Sequence, residues 1–152
     1  IGSGLVGSEM CKETDKEKYP HRLYKKESFL GICSRRHSFA GRTVSLEEVL
    51  QESLLVREKG SGTHMLQKQA VAARGYSLDS FSRHSSISNF SIICDLVAMD
   101  HLITFAYEPI SHCRNDLATF RVEDMEITGE FNLVYINRSV AEPKADLFLA
   151  TC

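Results

Sequence analysis

The sequence predicts an α/β fold with a largely parallel sheet, and three observations carry that reading. Short apolar runs alternate with amphipathic stretches along the 152 residues, the pattern of strands exchanging with helices. At residues 54–66 the stretch LLVREKGSGTHML reads as a buried strand, a tight glycine turn and the start of a helix with nothing between them. Immediately before it, Ser45 and Glu48 have the spacing of a capping box, with Leu46, Val49 and Leu50 as the apolar stripe of a short helix.

Composition narrows the class. Apolar residues make up 43% and charged residues 25%, as in an ordinary globular domain, and the length suits one domain or two small lobes. A formal net charge of -2 argues against nucleic-acid binding by this chain, because such domains carry a positive surplus. No apolar run approaches the roughly 18 residues of a membrane helix, and no secretory signal pattern opens the chain. The five cysteines, Cys11, Cys33, Cys94, Cys113 and Cys152, lack C-x-x-C spacing and read as reduced thiols of a cytoplasmic protein. No metal site and no cofactor are expected. A first residue Ile1 in place of Met marks a piece of a longer protein.

Taken in order, residues 4–7 read as a buried strand ending at Ser8, and the polar run 12–18 as a solvated loop or helix turn. Residues 22–34 alternate and then turn apolar, a strand whose core is 29–33, followed by a solvated basic turn at Arg35, Arg36 and His37. After the capping-box helix and the strand at 54–56, a helix over 65–73 ends at Gly75, which suits a left-handed C-cap. A serine-rich segment, 83–89, leads to a second helix starting near Ser88 or Asn89. A strand at 102–107 precedes a helix with Pro109 at N1. Strands at 120–122 and 131–136 follow. A terminal helix over 142–150, with Pro143 in its first turn and Leu147 and Phe148 on its apolar side, closes the chain.

The loop at 60–64 is the candidate binding element. Glycines on both sides of Ser61 allow close approach to the backbone, and a helix N-terminus presents unsatisfied N–H donors and the positive end of its dipole. Gly60, Ser61, Gly62, Thr63 and His64 are therefore expected to hold an anionic group, with a plain capped turn as the alternative. The start of the second helix, Ser88 and Asn89, is a further candidate for ligand polar groups, again beside simple capping. A phosphate loop of the nucleotide-binding kind is excluded, because Thr63 stands where that motif needs Lys.

Several stretches in order resemble the effector-binding domain of LysR-type transcriptional regulators. They are RLY at 22–24 leading to FLGIC at 29–33, HSFA at 37–40, SLEEVL at 45–50, REKGSGTH at 57–64, DLV at 95–97, ITF at 103–105 and EFNLVY at 130–135. The resemblance implies a fold like that of type II periplasmic binding proteins, two α/β lobes joined by two crossing strands, with the first lobe incomplete. It places residues 1–29 and 108–152 in that first lobe and 30–107 in the second, with hinge strands near 27–34 and 103–107. It also implies a small-molecule effector, a carboxylate or other anion, held between the lobes with Ser8 from the first and Ser61 and Thr63 from the second.

The chain departs from the family pattern in four places. His64 stands where Arg is usual, and Ser38 where Pro is usual. Asp100, His101 and Leu102 replace a Gly-x-Gly, and about sixty residues of first lobe, by typical lobe sizes, do not precede Ile1. DNA contact is then expected only through an N-terminal winged helix-turn-helix outside this sequence, in a homodimer or homotetramer without membrane contact. Two other readings are an enzyme on the same fold, using Glu58, His64, His84, Asp100 or His101, and a transport-type solute-binding protein. No G-x-S-x-G or H-E-x-x-H motif supports the first, and the free cysteines oppose the second.

Overall fold

The computed structural model describes residues 19–99, 101–135 and 138–151, with the side chains of 138–142 and 151 outside the description. The strand expected at 4–7, the polar run 12–18, Ser8 and Asp100 lie outside the described residues. The chain divides into two compact units, Ile1–Glu27 with Gly129–Cys152, and Ser28–Thr128.

Two strands run through the boundaries between these units. Strand β1, His21–Ser34, is exposed over its first six residues and buried over its last six, so one continuous strand serves a solvated and a core environment. The other is β7, Ile127–Val134, which pairs with β1.

The Ser28–Thr128 unit is built around the buried half of β1. Its other strands are β2 (Thr43–Val44), β3 (Ser53–Val56), β4 (Arg83–Ser86), β5 (Leu102–Tyr107) and β6 (Leu117–Val122), in the order β2-β6-β1-β5-β3-β4. Strand β3 pairs in parallel with β4 and β5, and β2 in parallel with β6. Strand β1 is antiparallel to both β5 and β6, so the sheet is mixed and the expectation of a largely parallel sheet is corrected. Alternating strands and helices favour parallel neighbours only where consecutive strands pair, and β1 is flanked by strands far from it in sequence.

Residues 108–128 stay with the Ser28–Thr128 unit because β6 pairs with the buried end of β1 through Gly31↔Phe120 and Ser34↔Leu117.

Helices cover both faces of this sheet. On one face α1 (Leu46–Leu50) and α2 (Gly62–Ala72) pack Leu46, Val49, Leu50 and Val71 against Phe29, Cys33, Val56, Phe105 and Phe120. On the other, α3 (Phe90–Met99) buries Ile93, Cys94 and Val97 against Ile32, Leu55, Ala106 and Leu117. The capping box of α1 forms as expected: Ser45 Oγ accepts from the Glu48 N–H at 3.2 Å, and Glu48 Oε2 accepts from the Ser45 N–H at 2.9 Å. A one-turn helix α4, Pro109–His112, follows β5 with its proline at the N-terminal end.

His37 is the exception in the basic turn. Arg35 and Arg36 are exposed as expected, but His37 is buried. Its Nδ1 accepts from the Phe39 N–H at 3.1 Å, which leaves the proton on Nε2, facing Glu52 Oε2 at 3.6 Å. Burial pushes the Cys33 thiol up to about 12 and raises that of Cys94, so both stay protonated at neutral pH.

In the smaller unit, α5 (Arg138–Thr151) follows β7. Tyr24 meets Phe148 with ring centroids 5.6 Å apart, Arg22 pairs with Asp146, and Lys26 lies 3.1 Å from Glu130. Two expectations change here. Pro143 lies inside α5, where it has no N–H to give the helix ladder. Leu147 and Phe148 are exposed, and Ala145 is the buried residue among the described side chains of that helix.

Candidate functional site

Parallel pairing of β3 with β4 brings two loop-to-helix junctions to one edge of the sheet. Val56 stands opposite Ser86, the Ile87 N–H donates to the Val56 carbonyl at 3.0 Å, and Ser86 Oγ donates to the Arg57 carbonyl at 3.3 Å. The chain leaves β3 into Gly60–His64 and leaves β4 into Ser88–Asn89, so the expected ligand residues of this unit share that edge. Strand β5, parallel to β3, ends at the same edge with Tyr107. The carboxyl edge of parallel strands is where open α/β sheets place ligands. Ser8, the remaining expected contact, is outside the described residues.

Each junction is shaped by its own sequence. Gly60 has φ of +99°, a conformation that a side chain would strain. Helix α2 begins at Gly62, three residues before the sequence expectation, because Ser61 is its N-cap: Ser61 Oγ accepts from the His64 N–H at 3.2 Å. The N–H groups of Gly62 and Thr63 precede the first intrahelical bond, made by the Met65 N–H to the Ser61 carbonyl at 3.1 Å. Thr63 Oγ1 stands 3.5 Å from Ser61 Oγ, which adds a second hydroxyl to that turn. At the other junction Asn89 Oδ1 accepts from the Ser91 N–H at 2.9 Å and the Ile92 N–H at 3.4 Å, capping α3, and Ser88 is exposed beside it. The capping roles weighed for Ser61 and Asn89 are therefore real.

Three groups at this edge or behind it were not singled out as ligand contacts by sequence. Arg57 and Glu58 form a bidentate pair, Nε to Oε2 and Nη2 to Oε1, both at 2.8 Å. That hydrogen-bonded guanidinium, with His64 adding positive charge nearby, holds the Glu58 carboxyl down at about 2. Gln67, one turn into α2, is buried, and among the described residues its Nε2 has no hydrogen-bond partner. The sequence signal for it was a polar residue at the i+4 position between Thr63 and Val71, on what is otherwise the inward face of the helix.

The Glu58 shift sets a pH dependence with a definite sign. A carboxyl lowered from 4.5 to about 2 contributes stability that is fully present above pH 4.5 and lost as pH falls through about 2. Carboxyl NMR is expected to show Glu58 titrating near pH 2, and Glu58→Gln to flatten the stability profile between those limits. Because the pair is solvated, the amplitude is expected to be small.

The three histidines considered for catalysis are dispersed. His64 lies at the carboxyl edge, whereas His84 on β4 stands 3.7 Å from Asp79. His101 precedes β5 at the opposite edge, its ring 6.3 Å from that of His37. Two concavities also lie on that opposite side, one of about 340 Å³ lined by Ser34, Arg36, His37, Met99 and His101, the other lined in part by Arg36, Asp95 and Arg114. No group of three or more His, Cys, Asp and Glu among the described residues is placed to hold a metal ion.

Residues 12–152 match the family profile of the LysR substrate binding domain. The chain belongs to that family. Solved structures agree on the fold, that of the type II periplasmic binding proteins. The regulatory domain of Synechocystis PCC6803 CcmR, in complex with 2-PG, superposes with a TM-score of 0.74 at 16% identity, over 87% of this chain and 66% of that one. The effector binding domain of QuiR, in complex with shikimate, gives 0.68 at 12% identity over 90% of this LysR domain and 66% of its own length. An OxyR mutant from Corynebacterium glutamicum gives 0.67 at 20% identity over 93% of this chain, which spans 45% of the OxyR chain. This LysR domain thus covers from under half to about two thirds of the chains it resembles. Comparison with curated proteins gives no match. No helix among the described residues is long and apolar enough to cross a membrane.

Proposed function

We propose that this LysR substrate-binding domain is the effector sensor of a DNA-binding transcriptional regulator and takes a small anionic metabolite at the carboxyl edge of β3, β4 and β5. The observation that carries the reading is the arrival of two helix N-termini at that edge, α2 capped by Ser61 and α3 by Asn89. Aligned peptide dipoles and the N–H groups of Gly62 and Thr63 favour a carboxylate or phosphate oxygen there, and the Ser61 and Thr63 hydroxyls supply further donors.

The Ile1–Glu27 with Gly129–Cys152 unit is, in this reading, part of the first lobe. An effector that binds a closed arrangement better than an open one shifts the population toward it by no more than that difference in affinity. The readout passes to a winged helix-turn-helix elsewhere in the longer protein, in a homodimer or homotetramer. Sensing requires no chemistry on the ligand, which would be recovered unchanged.

The test is a thermal-shift titration of the chain with acetate, propionate, succinate, malate, amino acids, sulfate and phosphate. A bound anion at one hundred times its dissociation constant is expected to add about 2.7 kcal/mol, roughly 5–10 °C for a domain of this size. Ser61→Ala combined with Thr63→Ala is expected to abolish the shift. An equal shift in that double variant, or none with any anion in the wild-type chain, refutes this site.

A further inference from the structure

Gln67 is a buried amide on α2. It is 3% exposed, and its neighbours on the inward face of α2 are Thr63 one turn before it and Val71, itself 1% exposed, one turn after. Val71 belongs to the core cluster with Phe29, Val56 and Phe105, against which Leu66 and Tyr107 also pack. Burying an amide among such groups is unfavourable unless its donors are satisfied, and native structures leave few buried side-chain donors unpaired. Gln67 Nε2 is, among the described residues, a buried donor without a partner.

Helix geometry gives the direction in which a side chain at this position leans. Side chains of an α-helix lean toward its N-terminus, so a residue covers the turn preceding its own Cα. A long side chain at 67 therefore reaches back toward the level of Thr63, into the first turn of α2, where the Ser61 and Thr63 hydroxyls meet. Tyr107 ends β5 at the same edge and packs on the same face of the sheet.

We propose that Gln67 is the specificity-determining residue of the effector site: its Nε2 donates to a second, uncharged oxygen of the effector, while the α2 N-terminus holds the anionic group. The effector class is then a small hydroxy acid or oxo acid and not an aliphatic acid lacking that oxygen. This rests on the effector reading above and deepens it. A site with a buried donor discriminates strongly against an analogue lacking the matching acceptor, because the donor is then left without a partner in the complex.

Isothermal titration of the chain with matched acids tests this: glycolate against acetate, lactate and pyruvate against propionate, and malate against succinate. The oxygen-bearing member of at least one pair is expected to bind about tenfold tighter or more, and Gln67→Leu to erase that preference. Without ligand, Gln67→Leu is expected to raise Tm by about 2–4 °C, since it removes a buried donor at similar volume. Equal affinities within every pair, a preference that survives Gln67→Leu, or a lower Tm in that variant overturns the proposal. Equal affinities that still vanish in Ser61→Ala with Thr63→Ala overturn the role of Gln67 alone. No binding by any acid overturns the effector site with it.

Discussion

Phe120→Ala is expected to destabilise the domain by about 3–5 kcal/mol, a fall in Tm of roughly 10 °C, measurable by circular dichroism in this Trp-free chain. Phe120 is 1% exposed on β6 and sits between two other aromatic rings, with centroids 5.2 Å from Phe39 and 5.7 Å from Phe105. Phe105 in turn stacks on Phe29 at 6.3 Å. Removing the ring deletes the middle of a cluster that spans β1, β5, β6 and the 35–42 turn. Its partners are held by strand pairing on both sides, so the cavity has little room to collapse.

Gly31→Val is expected to destabilise by roughly 3 kcal/mol, for the opposite reason. Gly31 lies in β1 directly between Phe105 on β5 and Phe120 on β6. The two phenylalanines reach across it and meet edge to face, which requires that position to carry no side chain. A Cβ built at Gly31 would overlap Cζ, Cε1 and Cε2 of Phe120, a ring that cannot swing away because it is buried. The two sites should therefore be strongly coupled. In a double-mutant cycle, Gly31→Ala added to Phe120→Ala is expected to be close to neutral, although Gly31→Ala alone is harmful. Simple additivity in that cycle would contradict the packing described.

Much of the candidate edge was legible in the sequence because it is governed by short-range chemistry. The Ser45–Glu48 capping box, the left-handed Gly75 and the Ser61 cap each depend on residues within three or four positions, and all form. Strand β4 was not legible. Arg83–Ser86 has neither apolar alternation nor burial, all four residues being exposed, and it is a strand because β3 offers it a parallel edge. His37 looked like part of a solvated turn, but its ring packs on Phe39 at 4.8 Å and faces Glu52, a partner fifteen positions away in sequence. Gln67 broke the apolar stripe of its helix visibly, yet only burial distinguishes a stray polar residue from a buried donor with no partner among the described residues.

Apart from β2 and β4, the sequence by itself determined the strand and helix segments among the described residues, the turn that aims α2, the caps and the family resemblance, because each is written in local spacing or in an ordered set of short matches. The tertiary structure decided what depends on residues distant in the chain. It placed β1 antiparallel between β5 and β6, kept residues 108–128 in the Ser28–Thr128 unit, and set the α2 and α3 junctions side by side. Strand direction and neighbour choice follow from burying both faces of one sheet at once. No local stretch encodes that requirement, and it is what turns two ordinary helix caps into one candidate site.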